Sequence, residues 1–209
     1  GSFTIDTGDD AFHADSDLTI EDGEILIASS FEGLEGAAVT VNGGTIRLTA
    51  SDDGMNAAGG TDTNMPGGRP GMDSFFGSNE YQITINGGYL VIDASGDGID
   101  SNGDLTITGG TVLINGPVSS GDGSLDYGGS CTISGGILVA AGSAGMTQTL
   151  GTSSSQCSLL ITFSFVQQAG TLLHIADEDG TPLLSFAPLK TYQSVIISLP
   201  EFTEDAVYT

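Results

Sequence analysis

The sequence predicts an all-β chain: a single-stranded right-handed parallel β-helix of about six coils, followed by a short antiparallel β module. Three observations predict it. A unit of about 21 residues recurs along most of the chain. Within each unit, apolar and polar residues alternate with period two, as in strands with one buried face. Near residue 165 the repeat gives way to strands separated by ordinary turn signals. The expected division is therefore a β-helix over 1–165, with a loop insertion at 59–80, and a cap or side module over 166–209.

The unit reads apolar-Thr-apolar-x-Gly-Gly-x-apolar-x-apolar. It runs from Leu18 to Ala28, Val39 to Ala50, Ile83 to Ala94 and Leu105 to Gly116. A last copy, Ile133 to Ala141, follows Cys131-Thr132. A shorter element precedes each copy: Asp10-Ala11-Phe12-His13, Glu32-Gly33-Leu34-Glu35, Asp53-Gly54-Met55-Asn56, Asp97-Gly98-Ile99-Asp100 and Gly123-Ser124-Leu125-Asp126. Phe12 to Leu34 is 22 residues, Leu34 to Met55 is 21, and Met55 to Ile99 is 44, one repeat plus an insertion of similar length. So short a period excludes a βαβ unit or a propeller blade and fits one coil of a solenoid. The glycine pairs then mark corners. A β-sandwich with glycine-rich turns is the alternative, but it does not explain residue-for-residue alignment of the copies.

Stacking places equivalent residues ~4.8 Å apart in columns. Phe12, Leu34, Met55, Ile99, Leu125 and Met146 form one expected core column; Ile20, Val41, Ile85, Ile107 and Ile133 form another. Thr19, Thr40, Thr84, Thr106 and Thr132 face outward as β-branched strand formers. An ice-binding surface would want a second flat Thr column, and the flanking positions are mixed.

Composition limits the partners. The 209 residues include 33 Gly and carry 27 Asp+Glu against 3 Lys+Arg, a net charge of −24. Such a surface repels nucleic acid and anionic lipid. A hydrophobic fraction of 38% excludes a disordered acidic tail. No apolar run reaches the ~20 residues of a membrane span. Gly1-Ser2 reads as a cloning remnant, so a trimmed leader is expected before it and further chain after Tyr208-Thr209.

The informative columns are acidic. One holds Asp10, Glu32, Asp53 and Asp97; another holds His13, Glu35, Asn56, Asp100 and Asp126; Asp9, Asp52 and Asp122 lie beside them. Carboxylates ~5 Å apart repel by about 3 kcal/mol per pair at an effective dielectric constant near 20. Asn can hydrogen-bond along a stack, whereas an ionised carboxylate only accepts. Three basic side chains cannot neutralise these columns, so either protons stay on or a cation binds. Hard oxygen ligands point to Ca²⁺ held between coils, with Na⁺ or Mg²⁺ as lesser fits and a solvated acidic edge as the alternative. His13 reads as a hydrogen-bonding member of its column rather than a ligand.

The insertion carries Arg69, Phe75 and Phe76, either a ligand contact or residues folded back on the solenoid wall. The outward positions Leu26, Arg47, Val91, Leu113 and Val139, with Tyr89 and Ile137, are too apolar for a bare face. The C-terminal part is the expected cover, with a dimer partner or a polysaccharide as alternatives. Leu172 to Leu184 reads as a hairpin around Asp179-Gly180, and Ser194 to Leu199 as another strand. Cys131 and Cys157 fall at equivalent positions of neighbouring coils in this reading. They are expected to be two buried thiols, with a disulfide as the alternative.

Acidic β-helices are common among enzymes acting on uronic acid polymers. β-Elimination needs a base and a cationic group, yet only Arg47, Arg69 and Lys190 exist. Inverting hydrolysis needs a carboxylate pair. Ser95-Gly96-Asp97-Gly98-Ile99-Asp100 resembles the Asp-containing motif of polygalacturonases, but that family's Gly-His-Gly and Arg-Ile-Lys elements are absent. Acids repeated in every coil fit columns better than a unique catalytic pair, so no catalytic residue is assigned.

Asp53 to Gly60, Ile83 to Gly88 and Ser95 to Gly110, with Phe186-Ala187-Pro188 and Tyr192-Gln193-Ser194, closely resemble a known family. It is the calcium-binding "carbohydrate-binding domain-containing" parallel β-helix family of clostridial and related bacterial cell-surface proteins. The resemblance implies a pectate-lyase-like fold, an extracellular or cell-surface location, and calcium between coils near Asp10, Glu32, Asp53, Asp97 and their +3 neighbours. It also implies non-catalytic binding of plant cell-wall glycans, cellulose or uronic acid polymers. Ala11, Glu32 and Glu35 depart from the commoner Gly and Asp. With no Trp, the aromatic candidates for glycan contact are Tyr89, Tyr127, Phe75 and Phe76, with Arg69 beside them. A calcium-dependent lyase or inverting hydrolase acting on pectate-like polymers, and a structural adhesin stalk, are the other readings. A homo-oligomer is compatible with all of them.

Overall fold

A computed structural model describes residues 1–58 and 81–209. Its strands, in chain order, are β1 (Ser2–Asp6), β2 (Phe12–Ile20), β3 (Glu24–Ser29), β4 (Leu34–Val41), β5 (Thr45–Ala50), β6 (Met55–Ala57), β7 (Gln82–Ile85), β8 (Tyr89–Ala94) and β9 (Ile99–Ser101). They continue as β10 (Asp104–Ile107), β11 (Thr111–Asn115), β12 (Asp126–Tyr127), β13 (Cys131–Ile133), β14 (Ile137–Gly142), β15 (Ser158–Gln167), β16 (Leu173–Ala176), β17 (Pro182–Phe186) and β18 (Tyr192–Ser198). No helix occurs among the described residues.

The strands stack as a β-solenoid. One sheet runs β1-β3-β5-β8-β11-β14, all parallel. The opposing sheet carries two strand positions per coil, the short acidic element and the Thr-bearing strand. β2 and β4 run through both positions, whereas later coils split them into pairs such as β9 and β10. This gives five coils with β1 adding one side of another, close to the expected six. Register follows the repeat: Phe12, Leu34, Met55 and Ile99 pair in succession, and so do Thr19, Thr40, Thr84, Thr106 and Thr132. The insertion falls between β6 and β7, inside one coil, and both strands keep their parallel neighbours.

The inward columns make one core. Ile27, Leu34, Ile46, Met55, Ile85, Ile92, Ile99, Ile107 and Ile114 are fully buried, each contributing about 1.5–3 kcal/mol of transfer free energy. Gly44, Gly88, Gly110 and Gly136 turn the corner with φ of 94°, 91°, 84° and 87°, a region open to glycine. Gly1 stands in the same column: its carbonyl accepts from the Glu24 N–H at 2.9 Å, as Gly23 does from Thr45 at 2.7 Å. Gly54 serves packing instead, since a Cβ there would meet Ile92 at 2.4 Å and the Gly98 carbonyl at 2.5 Å.

Met146 departs from its expected core column. It is 44% exposed, because residues 143–157 carry no strand and the column ends at Leu125. The cysteines also depart from equivalence: the Cys131 carbonyl accepts from Gly151 of the next passage, while Cys157 sits just before β15. Both are free thiols, and burial pushes Cys131 up to about 12.

The C-terminal part both extends and covers the solenoid. β18 pairs antiparallel with β14 and then with β15, so the first sheet continues past the last parallel strand. The hairpin β16–β17 turns at Asp177–Thr181, where the Asp177 carboxylate accepts from the Asp179 and Thr181 N–H groups at 3.0 and 2.8 Å. A second core forms outside the sheet from Val139, Ala141, Ile175, Tyr192, Val195, Ile197 and Phe202, with Leu113 and Ile137 at its edge. The expected cover is thus present over β11 and β14. It stops short of Leu26, which is 46% exposed, and of Tyr89 at 37%.

Candidate functional site

The acidic columns flank the short element of each coil because that element alternates about a buried apolar residue. Leu34, Met55 and Ile99 point into the core, so Glu35, Asn56 and Asp100 lie in register on the other side of the strand, Asn56 itself buried, and Asp126 follows Asp100. The preceding column is turned toward the next coil's backbone. Asp10 Oδ1 accepts from the Glu32 N–H at 3.1 Å, Asp53 Oδ1 from the Asp97 N–H at 2.6 Å, and Asp97 Oδ1 from the Gly123 N–H. These bonds hold the carboxylates in place but leave their charge uncompensated.

Two clusters result. The carboxylates of Asp53, Asp97 and Asp100 offer oxygens within 4.8 Å of one another, and Asp10, His13 and Glu35 do the same with one nitrogen. Burial, reinforced by Asp97, Asp100 and Asp52, pushes Asp53 up to about 9. Burial likewise lifts Asp97 to about 7 and Glu32 to about 8. His13 is raised, chiefly by its hydrogen bond to Glu35. Burial raises Glu35, and that same hydrogen bond opposes the rise.

Among the buried atoms without a partner in the described residues are two oxygens at this site. Glu32 Oε1 accepts from Asn56 Nδ2 at 2.9 Å, while Glu32 Oε2 and Asn56 Oδ1 have none. With Glu32 ionised both are acceptors, and each orphan then costs about 1–3 kcal/mol. Among the described residues His13 answers the Asp10 and Glu35 carboxylates, and no Lys or Arg answers either cluster. Lys190 Nζ pairs with Asp93 at 2.8 Å on the other sheet, and the Arg47 guanidinium lies 5.4 Å above the Tyr89 ring.

The remaining sequence candidates stand apart. Asp52 adds its charge to Asp53 and Asp97 without joining the cluster. Asp9 is exposed, and its N–H bonds Thr7 Oγ1 at 3.1 Å. Asp122 accepts from the Ser119 hydroxyl, and Asp126 from Gln148 Nε2 at 2.6 Å. Tyr127 packs half-buried on the core and donates to the Thr149 carbonyl. Tyr89 is on the open face of the first sheet, beside Arg47 and near Leu26. Arg69, Phe75 and Phe76 lie outside the described residues.

Sequence reasoning missed Asp15, whose Oδ1 lies 3.5 Å from His13 Nε2. A bulge in β2 between Ala14 and Asp17 brings it there, and nothing in the repeat announces a bulge. It also missed a hydrogen-bonded ladder at the corner: Asn42 Nδ2 donates to Glu21 at 3.0 Å, Asn86 Nδ2 to Asn42 at 2.8 Å, and Thr108 Oγ1 to Asn86 at 2.8 Å. Its signal was available, since these residues immediately precede the corner turns.

A family model described as "Carbohydrate-binding domain-containing protein" matches residues 1–74. The match spans β1 to β6 and ends within the insertion, so it includes Asp10, His13, Glu32, Glu35, Asp52, Asp53 and Asn56. No curated protein and no solved structure matches the chain.

Proposed function

We propose that this chain is a non-catalytic polysaccharide-binding module, held together by calcium between its coils and acting outside the cell on plant cell-wall glycans. The observation that carries the calcium is the Asp53, Asp97 and Asp100 cluster, an all-oxygen donor set beside the orphaned Asn56 Oδ1. Hard oxygens in irregular arrangement suit Ca²⁺. Bound there, the ion would supply the positive charge that the side chains lack and lower the cost of ionising Asp53 and Asp97.

The match to a carbohydrate-binding family supports a glycan ligand. The part of the first sheet left open by the C-terminal module supports a place for it. Tyr89 offers a ring face for stacking, and Arg47, stacked over it, offers a bidentate donor to a uronate carboxylate. A pectate-type polymer is therefore favoured over a neutral glucan. The acids recur coil after coil, and among the described residues no Lys or Arg stands near them, which supports binding over cleavage.

Calorimetry and pull-down against polygalacturonate and cellulose, with calcium and after chelation, test this reading, with released products assayed in the same samples. Binding without product is expected. Tyr89→Ala is expected to weaken it about five- to tenfold while the melting temperature holds, the loss of roughly 1 kcal/mol of aromatic contact. Product formation proportional to protein would overturn the non-catalytic reading.

A further inference from the structure

One edge of the first sheet is unguarded. The sheet ends at β15, which pairs with β18 on one side and with no strand among the described residues on the other. Open edges are ordinarily blunted by Lys, Pro or an inward-pointing charge. Ser158 to Gln167 holds no proline and no charged residue. It leaves Leu159, Leu160, Phe165 and Val166 exposed, Leu160 at 41% and Phe165 at 81%. We propose that β15 is the contact strand of a two-fold homodimer. It pairs antiparallel with β15 of a second copy, and the two eight-stranded sheets join edge to edge.

Charge identifies the occupant. From Tyr127 to Ala176 the chain carries no Asp, Glu, Lys or Arg, although the whole holds 27 acids and a net charge of −24. That stretch includes β13, β14, the strandless passage after them, β15 and β16. Two copies this acidic repel over most of their surface, and β15 offers them a seam with no charge on either side. A basic partner gains nothing there and would seat on the acidic columns instead. The opposite edge of the sheet, β1, ends in Asp6, with Asp9 and Asp10 following, so it offers no such seam. Geometry fits the same occupant, because an antiparallel edge is complementary to itself about a two-fold axis. β15 runs regularly against β18 from Ser158 to Thr162, before the register shifts. Self-pairing over that stretch centres on Leu160, which then stands opposite the Leu160 of the second copy, with Leu159 opposite Ile161 and Ser158 opposite Thr162.

Sedimentation velocity and light scattering over a concentration series, at fixed calcium and without glycan, test the proposal. The expected result is a mass that rises to two copies and stops. Added salt should strengthen the dimer, because screening relieves the repulsion between two acidic chains. Leu160→Glu and Leu160→Lys should each weaken it about tenfold or more, since each sets like charges opposite one another in place of an apolar pair. Mixed in equal amounts, the two variants should associate one to one, which also shows that both fold. Amide hydrogen exchange of the unmodified chain gives a readout free of substitution: protection should grow with concentration on β15 and leave β1 unchanged. A mass of one copy at every concentration up to about 1 mM, association that continues past two copies or weakens with salt, a dimer that both variants leave intact, or new protection away from β15 would each overturn it.

Discussion

Two ladders climb the same solenoid at the same spacing and meet opposite fates. At the corner, Glu21, Asn42, Asn86 and Thr108 pass hydrogen bonds up the stack, because an amide both donates and accepts. On the acidic face, Asp53, Asp97 and Asp100 bring oxygens within 4.8 Å of one another, and once ionised they can only accept. Part of their need is met by the backbone of the next coil, and the rest falls on protons or a cation. Stacking is thus neutral to residue type in geometry and far from neutral in energy. A column of amides closes on itself, and a column of acids stays open to a partner.

The largest expected break in this comparison comes from removing calcium. If the ion is held at 100 to 1,000 times its dissociation constant, chelation costs about 3–4 kcal/mol, or roughly 10 °C in a domain of this size. The pH dependence then has a fixed sign. Asp53, Glu32 and Asp97 have raised carboxyls in the metal-free fold, at about 9, 8 and 7. Their contribution is therefore fully present below the unfolded value near 4 and is lost as pH rises through the folded values. The metal-free chain should lose up to about 1.4 kcal/mol per pH unit for each such group, while the calcium-loaded chain stays nearly flat. Melting curves from pH 5 to 9, with calcium and chelator, decide it; superimposed curves would sink the calcium reading.

A smaller and sharper effect is a change of sign. Asp53→Asn keeps an acceptor for the Asp97 N–H and removes the most strongly disfavoured charge. It should stabilise the chelated chain at pH 8 by about 1–2 kcal/mol and destabilise the calcium-loaded one by a similar amount. Equal shifts in both conditions would mean that Asp53 holds no ion. The smallest effect serves as control. Asn86→Ala breaks the corner ladder in the middle and should cost about 1 kcal/mol, unchanged by calcium; a calcium-dependent cost would show the ladders to be coupled.

Much of this was legible in the sequence. The core columns, the Thr column and the acidic columns all appear in the structure at the expected register, up to Leu125. Grouping within the acidic columns was not legible. Asp9, Asp122 and Asp126 share the pattern of Asp53 and Asp97, yet Asp122 and Asp126 find a serine hydroxyl and a glutamine amide, and Asp9 lies exposed. Gln148 comes from the strandless passage after the last coil, where the period no longer predicts neighbours. Asp15 reaches His13 through a bulge, which leaves the repeat length intact and alters only which side chain faces which.

The sequence by itself determined the solenoid, because in a stacked repeat each contact between coils is a contact between residues about 21 or 22 positions apart, and a period is visible without coordinates. Tertiary structure alone decided whatever lies outside that period. It set the antiparallel seat of β18 on β14, the second core beneath the β16–β17 hairpin, and the stretch around Tyr89 and Arg47 left open beyond that cover. It also separated the two cysteines and divided the acids into one cluster of oxygens and one with a nitrogen. Those outcomes depend on where single, non-repeating side chains meet, and such meetings leave no recurring mark in the chain.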